Sequence, residues 1–528
     1  MSQHNTSTGS VVIANRNSGS ISILNEDTGE LIRTVDLPSS EGESTPEPMY
    51  VYNLISTNEI IVDDRANNRV VFFDSETFEV TGTVETGAGN FHMWASPQED
   101  RVWVVNDRDD TLTVIDPQTK TEITRVELPE EVIGADALPH DVIIDPSGDF
   151  AYVTVIRENN PDSDLLVKID ARDFTILDTA DVGKDPHVSL SPENNLLYVP
   201  AAESDRIEVF DRRGTELVQV DTIEQPGAHG IEFTANGKYI YTTNLPGGGD
   251  NGLFAIDSVS NEIVGDLDGV DTPFAVPHNV WLTGDGEKLF LTHSGGESSQ
   301  VSFYSLEDPT LPVLEGSTDV EGLNPFGLAY AAPDVDDLIV GTENRDRLRG
   351  REGNDFLYGE AGNDRLIGNR GNDKLFGGEG ADQLRGNEGD DVLIGGEGRD
   401  LLIGNRGDDL LVGVSVESFT PGANEIDFLI GNSGADTFVL GDALEVYYDD
   451  DNDQTLGLKN FANIRDFDLQ ESDVIRLHGS ADDYSLESSS LGTSIFYESE
   501  GQSSELIGVV AGVNDLQLDS DAFEFASV

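Results

Sequence analysis

From Gly341 the sequence falls into nine-residue units: GTENRDRLR, GREGNDFLY, GEAGNDRLI, GNRGNDKLF, GGEGADQLR, GNEGDDVLI, GGEGRDLLI and GNRGDDLLV. An 18-residue segment, 413–430, then ends in NEIDFLI, and a ninth unit, GNSGADTFV, follows. Eighteen residues are two units, so the phase is expected to survive the interruption. Position six is always aspartate: Asp346, Asp355, Asp364, Asp373, Asp382, Asp391, Asp400, Asp409 and Asp436, with Asp427 at the matching place in NEIDFLI. Position one is always glycine, as at Gly350, Gly359, Gly368, Gly377, Gly386, Gly395 and Gly404. Position four is glycine from the second unit on: Gly353, Gly362, Gly371, Gly380, Gly389, Gly398 and Gly407. Glycine reaches positive φ at little cost, so tight turns of this composition can aim backbone carbonyls inward. The aspartate adds a charged oxygen. A cluster of carbonyl and carboxylate oxygens is the donor set of calcium, a hard cation that takes six to eight oxygens. These aspartates and glycines are the candidate calcium ligands.

A second set of residues is suited to different chemistry. His92 in FHMW, His140 in PHDV, His187 in PHVS, His229 in AHGI and His278 in PHNV recur in one local context. Met49 and Phe326 take the corresponding places in two further segments. Neutral imidazole is a ligand for zinc, copper, iron and nickel, so five of them at one opening form a candidate transition-metal site. Protonated, they would hold an anion instead. Hydrogen bonds to backbone carbonyls, copied by duplication, are a third use.

The elements that must position these residues follow from two periodicities. In the nonapeptides, Leu at position eight, from Leu348 to Leu411, sits in a short x-Leu-x strand with its side chain inward. Residues 1–332 repeat at a longer interval: strand, turn, strand, polar loop, strand, then a fourth strand. RVWVVNDRDDTLTVID, LLYVPAAESDRIEVFD and KYIYTTNLPGGGDNGLFAID carry the pattern. Four short strands per roughly 45 residues make a propeller blade. The count is seven, with NPFGLAYA (324–331) supplying the inner strand missing from the first blade and closing the ring. The histidines then begin inner strands and face the central channel. The loops 157–164, 244–251 and 293–299 would rim the same opening.

The nonapeptides, over roughly residues 337–440, resemble the repeat-in-toxin (hemolysin-type) calcium-binding proteins. That resemblance implies a parallel β-roll with two units per coil and calcium between stacked turns. It also implies export through a type I machinery directed by an uncleaved C-terminal signal. The blades, with YVTV (152–155) and YVPA (198–201), resemble the seven-bladed surface-antigen and lactonase-like (YVTN-type) propellers. The expected fold class is therefore all-β: a seven-bladed propeller over 1–332, a calcium β-roll over 333–440, and a β-rich cap with the export signal over 441–528.

Composition bounds the partners. The net charge of −72 argues against nucleic acid and against anionic membranes, since both need clustered positive charge. Residues 1–332 carry 59 acids and 17 bases and residues 333–528 carry 43 and 13, so calcium loops alone do not account for the acidity. There is no cysteine, hence no disulfide or thiolate site. MSQHNTSTGS lacks the basic and apolar regions of a signal peptide, and no stretch reaches the length of a spanning helix. The expected location is extracellular, reached without an N-terminal signal peptide. Three functions stay open: a secreted binding protein acting on an extracellular ligand or surface, a metal-dependent or lactonase-like hydrolase, and a structural element of a calcium-dependent layer. GxSxG and HExxH are absent.

Overall fold

Runs of five to eight residues dominated by Val, Ile, Leu and Tyr, broken by Asp-, Asn- and Gly-rich turns, specify short strands. The computed structural model describes residues 10–526 apart from 40–43, 76, 98, 135–136, 146, 192–194, 235–236, 246–251, 284–285, 287, 296, 332–336, 417, 419, 424, 450–458 and 499–503. Two compact units divide the chain next to Val335. No helix of the described residues is long and apolar enough to cross a membrane.

The first unit is a propeller of seven antiparallel sheets. In chain order the inner strands of blades two to seven are Pro48–Leu54, Asn90–Ala95, Ala137–Ile144, Ser189–Leu190, Ala228–Phe233 and Pro277–Leu282. The inner strand of blade one is Pro325–Ala331, which pairs antiparallel with Ser10–Asn15 through Val12↔Ala329. The ring thus closes as the sequence predicts, with the two ends of the domain in one sheet. The middle strands are buried almost throughout, as in Leu196–Ala201, whereas outer strands such as Leu31–Asp36 are largely exposed. Cores form between adjacent blades; Trp103, Val114, Val153 and Val167 share one across blades three and four.

The second unit is built from two parallel sheets that take alternate nonapeptides. Phe356–Gly362, Lys374–Gly380 and Val392–Gly398 stack in one, and Arg365–Arg370, Gln383–Glu388 and Leu401–Arg406 in the other. The register is 18 residues, as in Leu375↔Leu393 and Leu384↔Leu402. Leu357, Leu366, Leu375, Leu384, Leu393, Leu402 and Leu411 are all fully buried between the sheets. This is the β-roll that the repeats imply. The interruption behaves differently from two ordinary units. It contributes one strand, Ile426–Ser433, so the register there is Leu402↔Leu429, and nine residues are looped out of the stack. Beyond the repeats the stacking continues. Val474–His478 and Phe523–Ala526 extend the first sheet in parallel, and Phe461–Ile464 and Glu505–Ala511 extend the second.

Candidate functional site

In the roll, each position-six aspartate after Asp346 divides its two oxygens between two tasks. One oxygen, Oδ1, accepts the backbone N–H of the aspartate one coil earlier: Asp364 from Asp346 at 2.7 Å, Asp382 from Asp364 at 2.7 Å, and Asp391 from Asp373 at 2.8 Å. The other, Oδ2, points into the turn. At Asp364, Asp382, Asp391, Asp400, Asp409 and Asp436 this second oxygen is buried with no hydrogen-bond partner. A buried carboxylate oxygen without a donor is costly unless a cation meets it.

The glycines are explained by the same geometry. A Cβ on Gly350 would lie 1.8 Å from Asp355 Oδ2, and one on Gly368 1.9 Å from Asp373 Oδ2. Position one is therefore glycine because the carboxylate occupies that space. Position four has positive φ, 117° at Gly371 and 121° at Gly389, and a Cβ on Gly371 would meet the carbonyl oxygen of Gly353 at 2.0 Å. Carboxylate and carbonyl oxygens so line both edges of the stack. Burial, then the neighbouring carboxylates, push the Asp391 and Asp400 carboxyls up to about 9. Burial is also the main cause of the rise of Asp409 to about 8, Asp427 and Asp436 to about 7, and Asp382 to about 6. The donor set and its unmet charge fit calcium.

Two aspartates of the set differ. At Asp346 the Oδ2 accepts from Thr342 N at 2.7 Å and Thr342 Oγ1 at 2.8 Å. At Asp427 it accepts from Tyr448 Oη at 2.8 Å. The edge that runs Asp346, Asp364, Asp382, Asp400, Asp427 therefore ends in a hydroxyl donor on both sides. The other edge is longer than the repeats suggest. Asp337 N donates to Asp355 Oδ1 at 2.6 Å, and Asp436 N to Asp473 Oδ1 at 3.1 Å. Asp337 and Asp473 were hidden because their segments lack the glycines; the signal was the shared pattern of Asp, any residue, then an apolar residue in DLIV and DVIR.

In the propeller, all five histidines converge, with ring centroids 4.8 Å apart for His140–His187, 4.0 Å for His187–His229 and 4.5 Å for His229–His278. His278 meets Phe326 at 4.1 Å. One histidine is out of register. Asn90 pairs with Asn106 as Pro277 pairs with His293, so Phe91, not His92, is the counterpart of His278. His92 lies one residue further along its strand, in a layer with Tyr50, Asp141 and Asn279. There its Nδ1 stands 2.8 Å from Asp141 Oδ1, and its ring lies 3.7 Å from Tyr50 and 5.0 Å from His187. Asp141 Oδ2 holds His187 Nδ1 at 3.2 Å. Sequence reasoning missed Tyr50, Phe91, Asp141 and Asn279; the signal was a polar residue directly after the histidine in PHDV and PHNV.

Burial drives the His140, His229 and His278 pKa values well below the ordinary imidazole value, and the neighbouring imidazoles add to this. His92 is also lowered by burial, although Asp141 opposes it. Burial acts to raise the Asp141 carboxyl, but His92 and His187 outweigh it and hold the group well below the usual carboxylate range. His140, His229 and His278 are thus held neutral, and Asp141 is the anion of the cluster. Among the rim loops, 157–164 abuts the turn before His187: Lys184 Nζ donates to the carbonyl of Arg157 at 3.1 Å and to Asp164. Loop 293–299 does the same, with Ser294 N on the carbonyl of Val276 at 3.1 Å. Of the loop 244–251, residues 246–251 lie outside the described residues.

Comparison with known proteins agrees with both halves. Residues 340–375, 376–411 and 422–443 match the RTX calcium-binding nonapeptide repeat, and residues 3–220 match the family described as lactonase, 7-bladed beta-propeller. Among solved structures, the chain is similar to the periplasmic gluconolactonase PpgL of Pseudomonas aeruginosa, at 14% identity over 61% of this chain and 99% of that one, with a TM-score of 0.49. It is also similar to a functionally unknown protein from Desulfotomaculum acetoxidans DSM 771, at 14% identity over 61% and 98% of the two chains, with a TM-score of 0.47. No curated protein matches it. The chain joins a seven-bladed propeller that matches the lactonase family model over 3–220 to a β-roll that matches the RTX calcium-binding repeat.

Proposed function

We propose that this is a secreted calcium-binding protein whose roll is folded by calcium and whose propeller binds an extracellular ligand at its histidine face. The observation that carries the calcium reading is the row of buried, donor-less Oδ2 atoms at Asp364, Asp382, Asp391, Asp400, Asp409 and Asp436. Calcium, when bound, neutralises these carboxylates and ties successive coils together. The ligands on this reading are Oδ2 of the position-six aspartates with carbonyls of the glycines at positions one and four. Asp346 and Asp427 contribute least, because Thr342 and Tyr448 already serve their second oxygen. Export by a type I route rests on the RTX repeats. Calorimetric titration of the chelator-treated protein tests the calcium reading. Several calcium ions should bind, and the paired change Asp391→Asn with Asp409→Asn should lower their number; an unaltered titration would overturn the assignment. Magnesium should not substitute, since it prefers a rigid octahedron and keeps its waters.

A second reading is a hydrolase acting in the propeller. It is favoured by the histidine cluster around Asp141 and by the lactonase-family match over 3–220. Acid release from simple lactones, measured with and without His140→Ala, decides it. Equal rates with both proteins exclude the cluster as the site.

A further inference from the structure

We infer that the propeller holds one first-row transition-metal ion on His92, His140 and His187, with Asp141 as the residue that positions two of the three. The inference does not rest on the roll or on its calcium. Ligand-atom spacing narrows the five histidines to three.

Asp141 is the starting point. Its carboxylate can only accept hydrogen bonds, and it faces His92 Nδ1 at 2.8 Å and His187 Nδ1 at 3.2 Å. Both Nδ1 atoms therefore carry the proton. A ring protonated at Nδ1 alone presents Nε2 as a bare lone pair. The two outcomes are visible in the structure. The Nε2 of His92 is buried with no hydrogen-bond partner. The Nε2 of His187 looks at Nε2 of His140, 3.4 Å away.

That separation is informative. Nitrogens bound tetrahedrally at about 2.0–2.1 Å from zinc stand roughly 3.3–3.4 Å from one another. Ligand atoms of His92, His140 and His187 all lie within 4.8 Å of one another. A carboxylate that grips the far nitrogen of a metal-binding imidazole fixes its tautomer and direction, and here one carboxylate does so for two rings. Val188 N and Val142 N donate to Asp141 as well, at 3.2 and 2.8 Å, so the carboxylate is itself held. Asp185 Oδ1 stands 3.9 Å from His140 Nε2, where it would complete the set.

His229 and His278 fall outside this group for stated reasons. His278 Nδ1 is engaged by Asn279 Nδ2 at 2.9 Å, and its ring packs on Phe326. Neither residue belongs to the group whose ligand atoms lie within 4.8 Å of one another. They wall the cluster instead.

The test uses untagged full-length protein with calcium present, so that the roll is occupied, in a His4→Ala background that removes a histidine outside the described residues. Co(II) is added as the probe. One equivalent should produce the intense visible bands of a four-coordinate ion with nitrogen ligands, which oxygen-only sites in the roll do not give. His92→Gln keeps a donor for Asp141 and removes only the ligand nitrogen; it should abolish the bands, as should His140→Ala. Asp141→Asn should weaken Co(II) binding about 10- to 100-fold. His229→Ala should leave the spectrum unchanged. Tryptophan emission reports folding of each variant, since Trp94, Trp103 and Trp281 all lie in the propeller. Absence of the bands in folded wild type would overturn the proposal. So would their survival in folded His92→Gln, or an equal loss in folded His229→Ala.

Discussion

The two halves of this chain copy a polar residue through a repeat, and they do so to opposite effect. In the roll, translation by 18 residues gives every aspartate the same neighbours: an N–H on one oxygen and a glycine-lined gap beside the other. In the propeller, rotation about a closed ring brings the copies face to face, and the histidines do not share one set of partners. Asp141 holds two, one of them moved into another layer by a shift of one residue in blade three, and Asn279 engages a third. A linear stack multiplies one site, whereas a ring of few members compounds its copies into a single site. The electrostatics diverge in the same way. The roll's acids are buried beside one another and need cations, while burial strips the charge from His140 and His229.

Removing calcium is the strongest way to separate the halves. Chelation should convert the roll's share of the far-ultraviolet circular dichroism from β to coil, because metal binding is part of its folding free energy. The emission of Trp94, Trp103 and Trp281 should not move, since all three belong to the propeller. A joint loss of both signals would break the distinction.

Protons should act on the halves in opposite directions. In the calcium-free roll the folded-state carboxyls lie above their ordinary value near 4. Their contribution to metal-free folding is therefore full below about pH 4 and is lost as pH rises through the 6–9 window. In the propeller, His140, His229 and His278 are depressed below about 6.5. Their contribution is full above that value and is lost as pH falls through their lowered pKa values. Melting curves at several pH values in chelator, read by dichroism for the roll and by tryptophan emission for the propeller, should show the two trends crossing. Parallel trends would contradict the burial pattern.

The smallest effect concerns the interruption in the roll. Tyr448→Phe removes the hydroxyl on Asp427 Oδ2. It should cost about 1 kcal/mol in calcium-loaded melts, the usual worth of such a bond, and should raise calcium uptake at that end of the edge. Unchanged stability and uptake would mean that the hydroxyl is incidental.

Much of this was legible in the sequence because repetition amplifies weak signals. The period of nine, the inward leucines and the closing strand NPFGLAYA are local patterns that recur, and the folded chain follows each of them. What the sequence concealed depends on register and long-range contact. His92 aligns with the other histidines by letter but not by pairing, since only the strand register shows that Phe91 takes their place. Asp141 became visible as an organiser only once blades three, four and five were in contact. Asp337 and Asp473 lack the glycine context that marks the repeats, so only the hydrogen-bond ladder identifies them. The interruption kept its phase of nine yet gave up one strand, because phase in sequence does not fix how many residues stay in the stack.

The closing pair of Ser10–Asn15 with Pro325–Ala331 has a consequence for biosynthesis. Once made, Ser10–Asn15 waits for a partner more than 300 residues downstream. At about 5–20 residues per second, that delay is roughly 15–60 s. Throughout it, SVVIAN presents an unpaired, apolar β-edge, the kind of template on which nascent chains associate. The nascent propeller is thus an open necklace until the chain has been made almost to the start of the roll, and a chaperone acting on this protein has this strand as its natural client.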